Sequence, residues 1–460
     1  MIKLDLSTYN HAHFIGIGGI SMSGLAEILL LRGMKVSGSD VAETSITKHL
    51  KNLGITINEP QSAKNIQDGT DLVIYTAAVK KDNPEILESE RRKLKIIDRA
   101  QLLGLLMEEY SCPICISGTH GKTTTTSMVS EIFLSADRNP TISCGGMVAS
   151  INSSFHVGSK DAFIVESCEY FNSFLKFFPK IGVILNIDAD HLDFFGGMRD
   201  LENAFRSFAK NIKSDGALII NNNIPNIEYV ISELDCPVFT FGDKNADWYA
   251  DDFDFGNTGL PEFSVFLHNK KLCRLKLNVP GMHNVMNSLA AFAAAYEYGL
   301  SPDEITAGLS LFKGTKRRYE FKGTFNGGAV IIDDYAHHPT EIEATLSTAK
   351  QISKGKVMCL FQPHTYSRTE KLFDGFAEAL SIADEVFVLD IFAAREHDNK
   401  GVGSKDLADK INEKHAGKAK YFSTFLEAEK YFLKNCFPSD MLITMGAGDV
   451  NLVGESILST

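Results

Sequence analysis

The chain lacks a long apolar run. Stretches such as 290–295 fall far short of the roughly 20 residues needed to span a bilayer. It also lacks a charged-then-apolar leader, since it opens Met1-Ile2-Lys3-Leu4-Asp5; the expectation is a cytoplasmic protein without membrane insertion. Basic clusters are scarce: none is longer than Lys316-Arg317-Arg318, and the formal net charge is −12. A nucleic-acid backbone demands clustered lysine and arginine, so no nucleic-acid partner is expected. A locally basic pocket for a nucleotide or an acidic sugar is still compatible with an acidic average. Cysteine is sparse, at 8 in 460 residues, which fits free thiols in a reducing compartment. One close pair, Cys112-Pro113-Ile114-Cys115, has no second Cys-x-x-Cys or His pair to complete a zinc site. The apolar run around it reads as a buried strand in which cysteine packs as a small hydrophobe. Internal repeats and low-complexity segments are absent.

What is present is a composition of 44% hydrophobic and 23% charged residues, enough to bury sizeable cores. The length suggests two to four domains. Three blocks can be distinguished, each opening on strand-like residues. The first runs from His13-Phe14-Ile15 through a glycine turn into a helix over 22–32, then to short strands at 35–40 and 71–75. The second opens near Ser111 with a strand at 114–117 and a helix over 124–135. Further strands are expected there at 162–166, 181–187 and 217–221, sheet at 263–279, and an Ala-rich helix over 284–299. The third begins near Arg317-Arg318, with strands at 329–333, 357–361, 385–389 and 441–445. Alternating strands and helices argue for an α/β protein with parallel sheets and crossover helices.

The strongest local signal is Gly118-Thr119-His120-Gly121-Lys122-Thr123. Glycines let backbone N–H groups converge on phosphate oxygens, and the following helix N-terminus adds partial positive charge. Lys122 is placed to reach the β- and γ-phosphates, and the Thr123 hydroxyl to ligate Mg²⁺. The first glycine stands three residues before Gly121 rather than five, so the loop is a shortened variant. Glu166 ends one strand and His191 follows another. Parallel sheets gather strand C-terminal ends on one edge, so a carboxylate and an imidazole there suit Mg²⁺ or Mn²⁺. Each alone reads as structural or solvated; with the loop they read as ligands.

Two other clusters are weaker. The turn Gly16-Ile17-Gly18-Gly19 has Ser21 where the dinucleotide fingerprint wants glycine, and Asp40 ends the next strand, where an acid can bind ribose hydroxyls. A nicotinamide-dependent oxidoreductase is possible from this block alone, as is a plain tight turn. In the third block, Asp333-Asp334-Tyr335-Ala336-His337-His338 and Phe361-Gln362-Pro363-His364-Thr365-Tyr366-Ser367-Arg368 each follow an apolar strand. These are either site residues or helix caps with solvated histidines.

Taken together, segments 16–27, 118–125, 166–175, 186–193, 281–287, 317–319, 333–341, 361–369 and 446–449 resemble the Mur ligases of bacterial peptidoglycan synthesis. The resemblance covers essentially the whole chain and lies nearest to members that add L-alanine. It implies a UDP-sugar-binding Rossmann-like domain at 1–109, a central ATP-binding P-loop domain with a mostly parallel sheet at 110–316, and a Rossmann-like amino-acid-binding domain at 317–460. It implies ATP-dependent joining of L-alanine to UDP-N-acetylmuramate through an acyl phosphate. Carried over motif by motif, Gly118, Thr119, His120, Gly121, Lys122, Thr123 and Thr124 would hold ATP phosphates, with His283 and Asn287 at the adenine. Arg318 and Asp334 would close the nucleotide from the third domain. Thr123, Glu166 and His191 would hold the metal. Lys122, His337, His338 and Arg368 would serve the chemistry. Gly16, Gly18, Gly19, Ser21, Asp40 and Thr76 would bind the UDP moiety.

Two departures stand out: Ser21 where many members have glycine, and Thr365 where some have arginine, which shifts the alanine-carboxylate contact toward Arg368. A monomer or weak homodimer is expected. A relative that attaches a preformed tripeptide to the same sugar nucleotide is the nearest alternative. The oxidoreductase would leave Lys122 and the third block without a task, and a non-catalytic nucleotide-binding regulator would need the loop without turnover.

Overall fold

Strand-forming runs of Ile, Val, Leu and Phe alternate with helices, and burying both faces of such runs requires a parallel sheet covered on two sides. The computed structural model describes residues 4–76, 78–190, 194–256, 259–394, 396 and 401–460. It holds three sheets. The first consists of β1 (His11–Ile15), β2 (Lys35–Ser39), β3 (Thr56–Asn58), β4 (Leu72–Tyr75) and β5 (Lys95–Asp98), in the order β3-β2-β1-β4-β5. All its pairs are parallel.

The second sheet contains β6 (Cys112–Ser117), β7 (Thr141–Val148), β8 (Ser153–His156), β9 (Ala162–Glu166), β10 (Ile181–Ile184), β11 (Ala217–Asn221), β12 (Val238–Gly242), β13 (Trp248–Asp254), β14 (Glu262–Leu267) and β15 (Lys270–Lys276). Their order is β15-β14-β13-β12-β11-β10-β6-β9-β7-β8. Pairing is parallel from β13 to β7 and antiparallel between β7 and β8. The third sheet, β16 (Glu320–Phe325), β17 (Ala329–Asp334), β18 (Val357–Phe361), β19 (Glu385–Val388), β20 (Ala419–Tyr421) and β21 (Met441–Met445), runs β16-β17-β21-β18-β19-β20. Only β16 is antiparallel to its neighbour.

The sheet expected over 263–279 is a hairpin, β14–β15, closed by His268 and Asn269, both with positive φ. The eight cysteines are free thiols, and Cys112 and Cys115 are buried in β6, as their apolar surroundings suggested. No helix of the described residues is long and apolar enough to cross a membrane.

Strand order decides where a site forms. In the first sheet β1 lies between β2 and β4, and in the second β6 lies between β10 and β9. Chain connections depart to opposite sides at such strands, opening a crevice at their C-terminal ends. Both glycine turns of the sequence stand at these two points.

The chain folds as two compact units. One is Met1–Asp251 with Val265–Cys273 and Asn287–Leu311; the other is Asp252–Ser264 with Arg274–Met286 and Phe312–Thr460. The first sheet and the second sheet's strands β6 to β12 share the first unit, and one apolar core joins them: Phe14, Leu25 and Leu103 pack in the same cluster as Phe163, Phe174 and Phe205. The third sheet buries its faces in separate cores, around Phe361 and Phe376 on one side and Phe387 and Phe432 on the other.

Candidate active site

The phosphate loop leaves β6, whose six residues are all buried, and enters the helix Lys122–Ser135. Gly118 has φ +138°, and a Cβ there would stand 2.9 Å from Leu185 Cβ and 3.1 Å from its backbone nitrogen, so no side chain fits. The loop is braced from the end of β10. Asn186 Oδ1 accepts the His120 N–H at 2.7 Å, and Asn186 Nδ2 donates to the His120 carbonyl. The Asp188 N–H donates to Thr119 Oγ1, and the His120 ring lies 3.2 Å from Asp188. Gly121 heads the helix with no side-chain cap, so the first-turn N–H groups, which have no intrahelical acceptor, face the loop.

Lys122 curls back over this loop. Its ammonium donates to the carbonyls of Gly118 and Thr119 and to Glu169, whose Oε2 lies 3.0 Å away. Glu169 is only 1% exposed and Lys122 12%. Burial opposes the ammonium, but the neighbouring carboxylates, Glu169 foremost, outweigh it and hold the lysine pKa above its ordinary value. Lys122 therefore stays cationic in a site of low dielectric, where a charge acts strongly on a phosphate.

The donor set suits a divalent cation beside a nucleotide. Thr123 Oγ1 lies 3.0 Å from Glu166 Oε1, at the end of β9, and Gly145 N–H donates to Glu166 Oε2 at 2.6 Å. A hydroxyl and an oriented carboxylate beside an uncapped helix end are hard oxygen donors next to an anion site. His191, the third expected ligand, lies outside the described residues. Asn287 stands against the loop, since a Cβ on Gly121 would come 2.6 Å from its Oδ1.

The first turn is built on the same plan. Gly16 has φ +81°, and a Cβ there would meet the Thr76 methyl at 2.7 Å. Gly18 N–H donates to Asp40 Oδ2 at 2.7 Å, and Val41 N–H to Asp40 Oδ1. Gly19 heads the helix Ile20–Leu31 without a side-chain cap, and Ser21 Oγ accepts from Arg99 at 3.1 Å. Asp40 is thus partly committed to the turn's own backbone, yet a carboxylate offers about four lone-pair sites, which leaves room for ribose hydroxyls.

In the second unit, Asp334 ends β17 and is buried. Its carboxylate accepts from Tyr319 N–H, Ala336 N–H and the Thr345 hydroxyl at 2.8 to 3.0 Å. Burial pushes its pKa up to about 6 despite Arg318. The His337 ring sits near the Tyr335 carbonyl and Glu341, and burial lowers its pKa to about 4. Arg318 lies 3.6 Å from Glu341. Arg368 contacts His364 Nδ1 at 3.1 Å, and the His364 ring meets that of His337 edge-on. His338 is used differently: its Nδ1 accepts from Thr340 N–H and caps the helix Pro339–Ile352. His283 is in this unit too, its pKa lowered to about 4 by burial and by Arg318.

Three family descriptions match in chain order: "Mur ligase family, catalytic domain" at 11–111, "Mur ligase middle domain" at 116–295 and "Mur ligase, glutamate ligase domain" at 317–448. The chain is 51% identical over 461 residues to the UDP-N-acetylmuramate–L-alanine ligase of Lachnospira eligens, covering 100% of both. The chain belongs to the Mur ligase family. A Clostridium botulinum UDP-N-acetylmuramate–L-alanine ligase is 48% identical over 449 residues, covering 98% of this chain and 97% of the relative. Among solved structures, the UDP-N-acetylmuramate–alanine ligase of Thermotoga maritima matches with TM-score 0.80 at 30% identity, covering 98% of each chain. A murein peptide ligase of Psychrobacter arcticus matches with TM-score 0.68 at 25% identity, again over 98% of each.

This Mur ligase also uses residues that the motifs alone did not single out. Glu169 holds Lys122, Asn186 and Asp188 brace the loop, Glu341 joins His337 to Arg318, and Arg99 reaches Ser21. Glu341 could have been found, since it stands four residues after His337 on a helix that Pro339 opens. Glu169 and Arg99 act across 47 and 78 residues of chain, and no local pattern marks such pairs.

Proposed function

We propose that this Mur ligase joins L-alanine to the carboxylate of UDP-N-acetylmuramate at the expense of ATP, in peptidoglycan precursor synthesis in the cytoplasm. The observation that carries the reading is the buried Lys122, kept charged by Glu169 beside an uncapped helix end, in a chain alike end to end with ligases of that name. The domains run 1–109, 110–316 and 317–460.

A carboxylate is a poor acyl donor because its oxide leaves badly. Its oxygen attacks the γ-phosphorus of ATP, ADP departs, and an acyl phosphate forms. The alanine amine then attacks the acyl carbon, and phosphate leaves from the tetrahedral intermediate. Such chemistry is catalysed by positioning and charge neutralisation. Lys122 neutralises charge on the transferred phosphoryl group, and residues 118–124 hold the phosphates. Thr123 and Glu166, with His191, would hold Mg²⁺ or Mn²⁺, which supplies Lewis-acid stabilisation of the phosphate oxygens. By the family resemblance, His283 and Asn287 would contact the adenine, and Arg318 and Asp334 the nucleotide. His337, uncharged above a pH of about 4, lines the alanine and acyl-phosphate region with Arg368, and His338 shapes it as the cap of its helix. Gly16, Gly18, Gly19, Ser21, Asp40 and Thr76 bind UDP.

Phosphate release from ATP with UDP-N-acetylmuramate, assayed against L-alanine, glycine, L-serine and murein tripeptide, tests this. Release with L-alanine is expected. Release with the tripeptide and none with alanine would replace the amino acid by the peptide as acceptor. Binding of NADH without binding of UDP would reverse the reading of the first domain.

A further inference from the structure

Arg99 is a cation held in place and left with donors to use. It opens the helix Arg99–Met107, whose N-terminus is fixed by the Asp98–Gln101 capping box. The helix has no freedom to retreat, because a Cβ on Gly104 would stand 2.0 Å from the Lys176 carbonyl oxygen. Of the five guanidinium N–H groups, one donates to Ser21 Oγ at 3.1 Å. Among the described residues no carboxylate lies within ion-pair distance of Arg99. Besides the thiol of Cys168, the acids whose charge it feels are the carboxylates of Asp98 and Glu166, and both carboxylates are engaged elsewhere. Asp98 pairs with Lys176 and caps its own helix through Gln101 N–H. Glu166 takes Thr123 and Gly145.

The place Arg99 reaches needs positive charge. Ser21 is the second residue of the helix that the Gly16–Gly19 turn opens. Residues 16–21 contain no lysine or arginine, and the nearest charge bonded to the turn is the carboxylate of Asp40. A pyrophosphate brought there meets backbone N–H groups and an acid, so electroneutrality has to come from another element. A guanidinium fork matches phosphate oxygens two at a time.

We propose that Arg99 binds the pyrophosphate of the sugar nucleotide at the first glycine turn, with Ser21 as its positioning partner. The proposal rests on the reading of this turn as the UDP site. Titration of the full-length protein with UDP, UDP-N-acetylglucosamine and UDP-N-acetylmuramate tests it. Arg99→Gln is expected to weaken all three by a common factor, roughly ten- to a hundredfold for a charge-assisted hydrogen bond. Arg99→Lys should fall between, since it keeps the charge and loses the fork. The wild-type affinity should also drop more steeply with NaCl than that of Arg99→Gln, which a purely structural arginine would not cause. In turnover, KM for the sugar nucleotide rises while KM for ATP holds. Should Arg99→Gln fold poorly, Arg99→Lys and the salt slope of the wild type decide. Unchanged UDP affinity in Arg99→Gln would overturn the proposal. So would a loss confined to UDP-N-acetylmuramate, which would move Arg99 to the carboxylate. Wild-type protein that binds no UDP at all would overturn the reading of the turn itself.

Discussion

At the end of β1 the chain turns through Gly16, Gly18 and Gly19 beside the carboxylate of Asp40; at the end of β6 it turns through Gly118 and Gly121 beside the ammonium of Lys122. Both turns sit at the strand where their sheet's connections diverge, both need glycine for close backbone approach, and both open a helix with no side-chain cap. The backbone device is the same and the local charge is opposite. An acid beside a glycine turn offers acceptors to ribose hydroxyls, whereas a lysine offers charge to phosphates that must change during the reaction. The backbone alone specifies an anion site, and the side chain at the rim decides which part of a nucleotide it handles.

Lys122→Ala should break the comparison most completely. Turnover is expected to fall on the order of a thousandfold or more, read as phosphate release, while UDP affinity at the other turn stays near wild type. The fold should survive with a lower Tm, because the substitution removes the cation paired with the buried Glu169, at a cost of about 3 kcal/mol. The double variant Lys122→Ala, Glu169→Gln should recover part of that Tm without activity; full thermal stability in the single variant would dismiss the ion pair as a structural element. Glu166→Ala comes next, with the Mg²⁺ requirement expected to rise roughly ten- to a hundredfold. An unchanged metal titration would remove Glu166 from the metal set. Asp40→Asn sharpens the contrast from the other side: UDP-sugar affinity should weaken about tenfold with KM for ATP unaffected, and a loss in ATP binding instead would refute the division of labour.

A further expected effect lies in the second unit and concerns pH. The Asp334 pKa is raised to about 6, so the folded state holds its proton more tightly than the unfolded chain. That contribution is present at low pH and is lost as pH rises from about 4 through about 6. His337, lowered to about 4, has the opposite sense and gains stability over the same window. Asp334→Asn removes only the first term. Relative to wild type, its Tm should therefore improve as pH goes from about 4 to about 6, by up to about 3 kcal/mol in stability. A difference independent of pH would show that Asp334 is ionised throughout.

Much of this was legible in the residues. The strands Ala162–Glu166, Ala217–Asn221, Val357–Phe361 and Met441–Met445 agree end to end with the sequence reading, because continuous aliphatic runs stop abruptly at polar residues. The hairpin of Thr141–Val148 and Ser153–His156 was not read. Its Ser, Cys and Gly residues show no clear alternation, and it forms because β9 offers β7 an edge to pair with. His338 reads in the sequence as a site imidazole, and the structure adds that its Nδ1 caps its own helix, a role equally open to any acceptor standing before Pro339.

Sequence by itself determined the order of strands and helices, the two glycine turns and the residue types at their rims, because these depend on local conformational freedom and on apolar periodicity. Only the tertiary structure decided which distant side chains meet at each turn. Lys122 meets Glu169, and Arg99 is brought to Ser21, through helices and strands far apart in the chain. Electrostatics acts through space rather than along the backbone, so the partner of a buried charge is fixed only when the cores have packed.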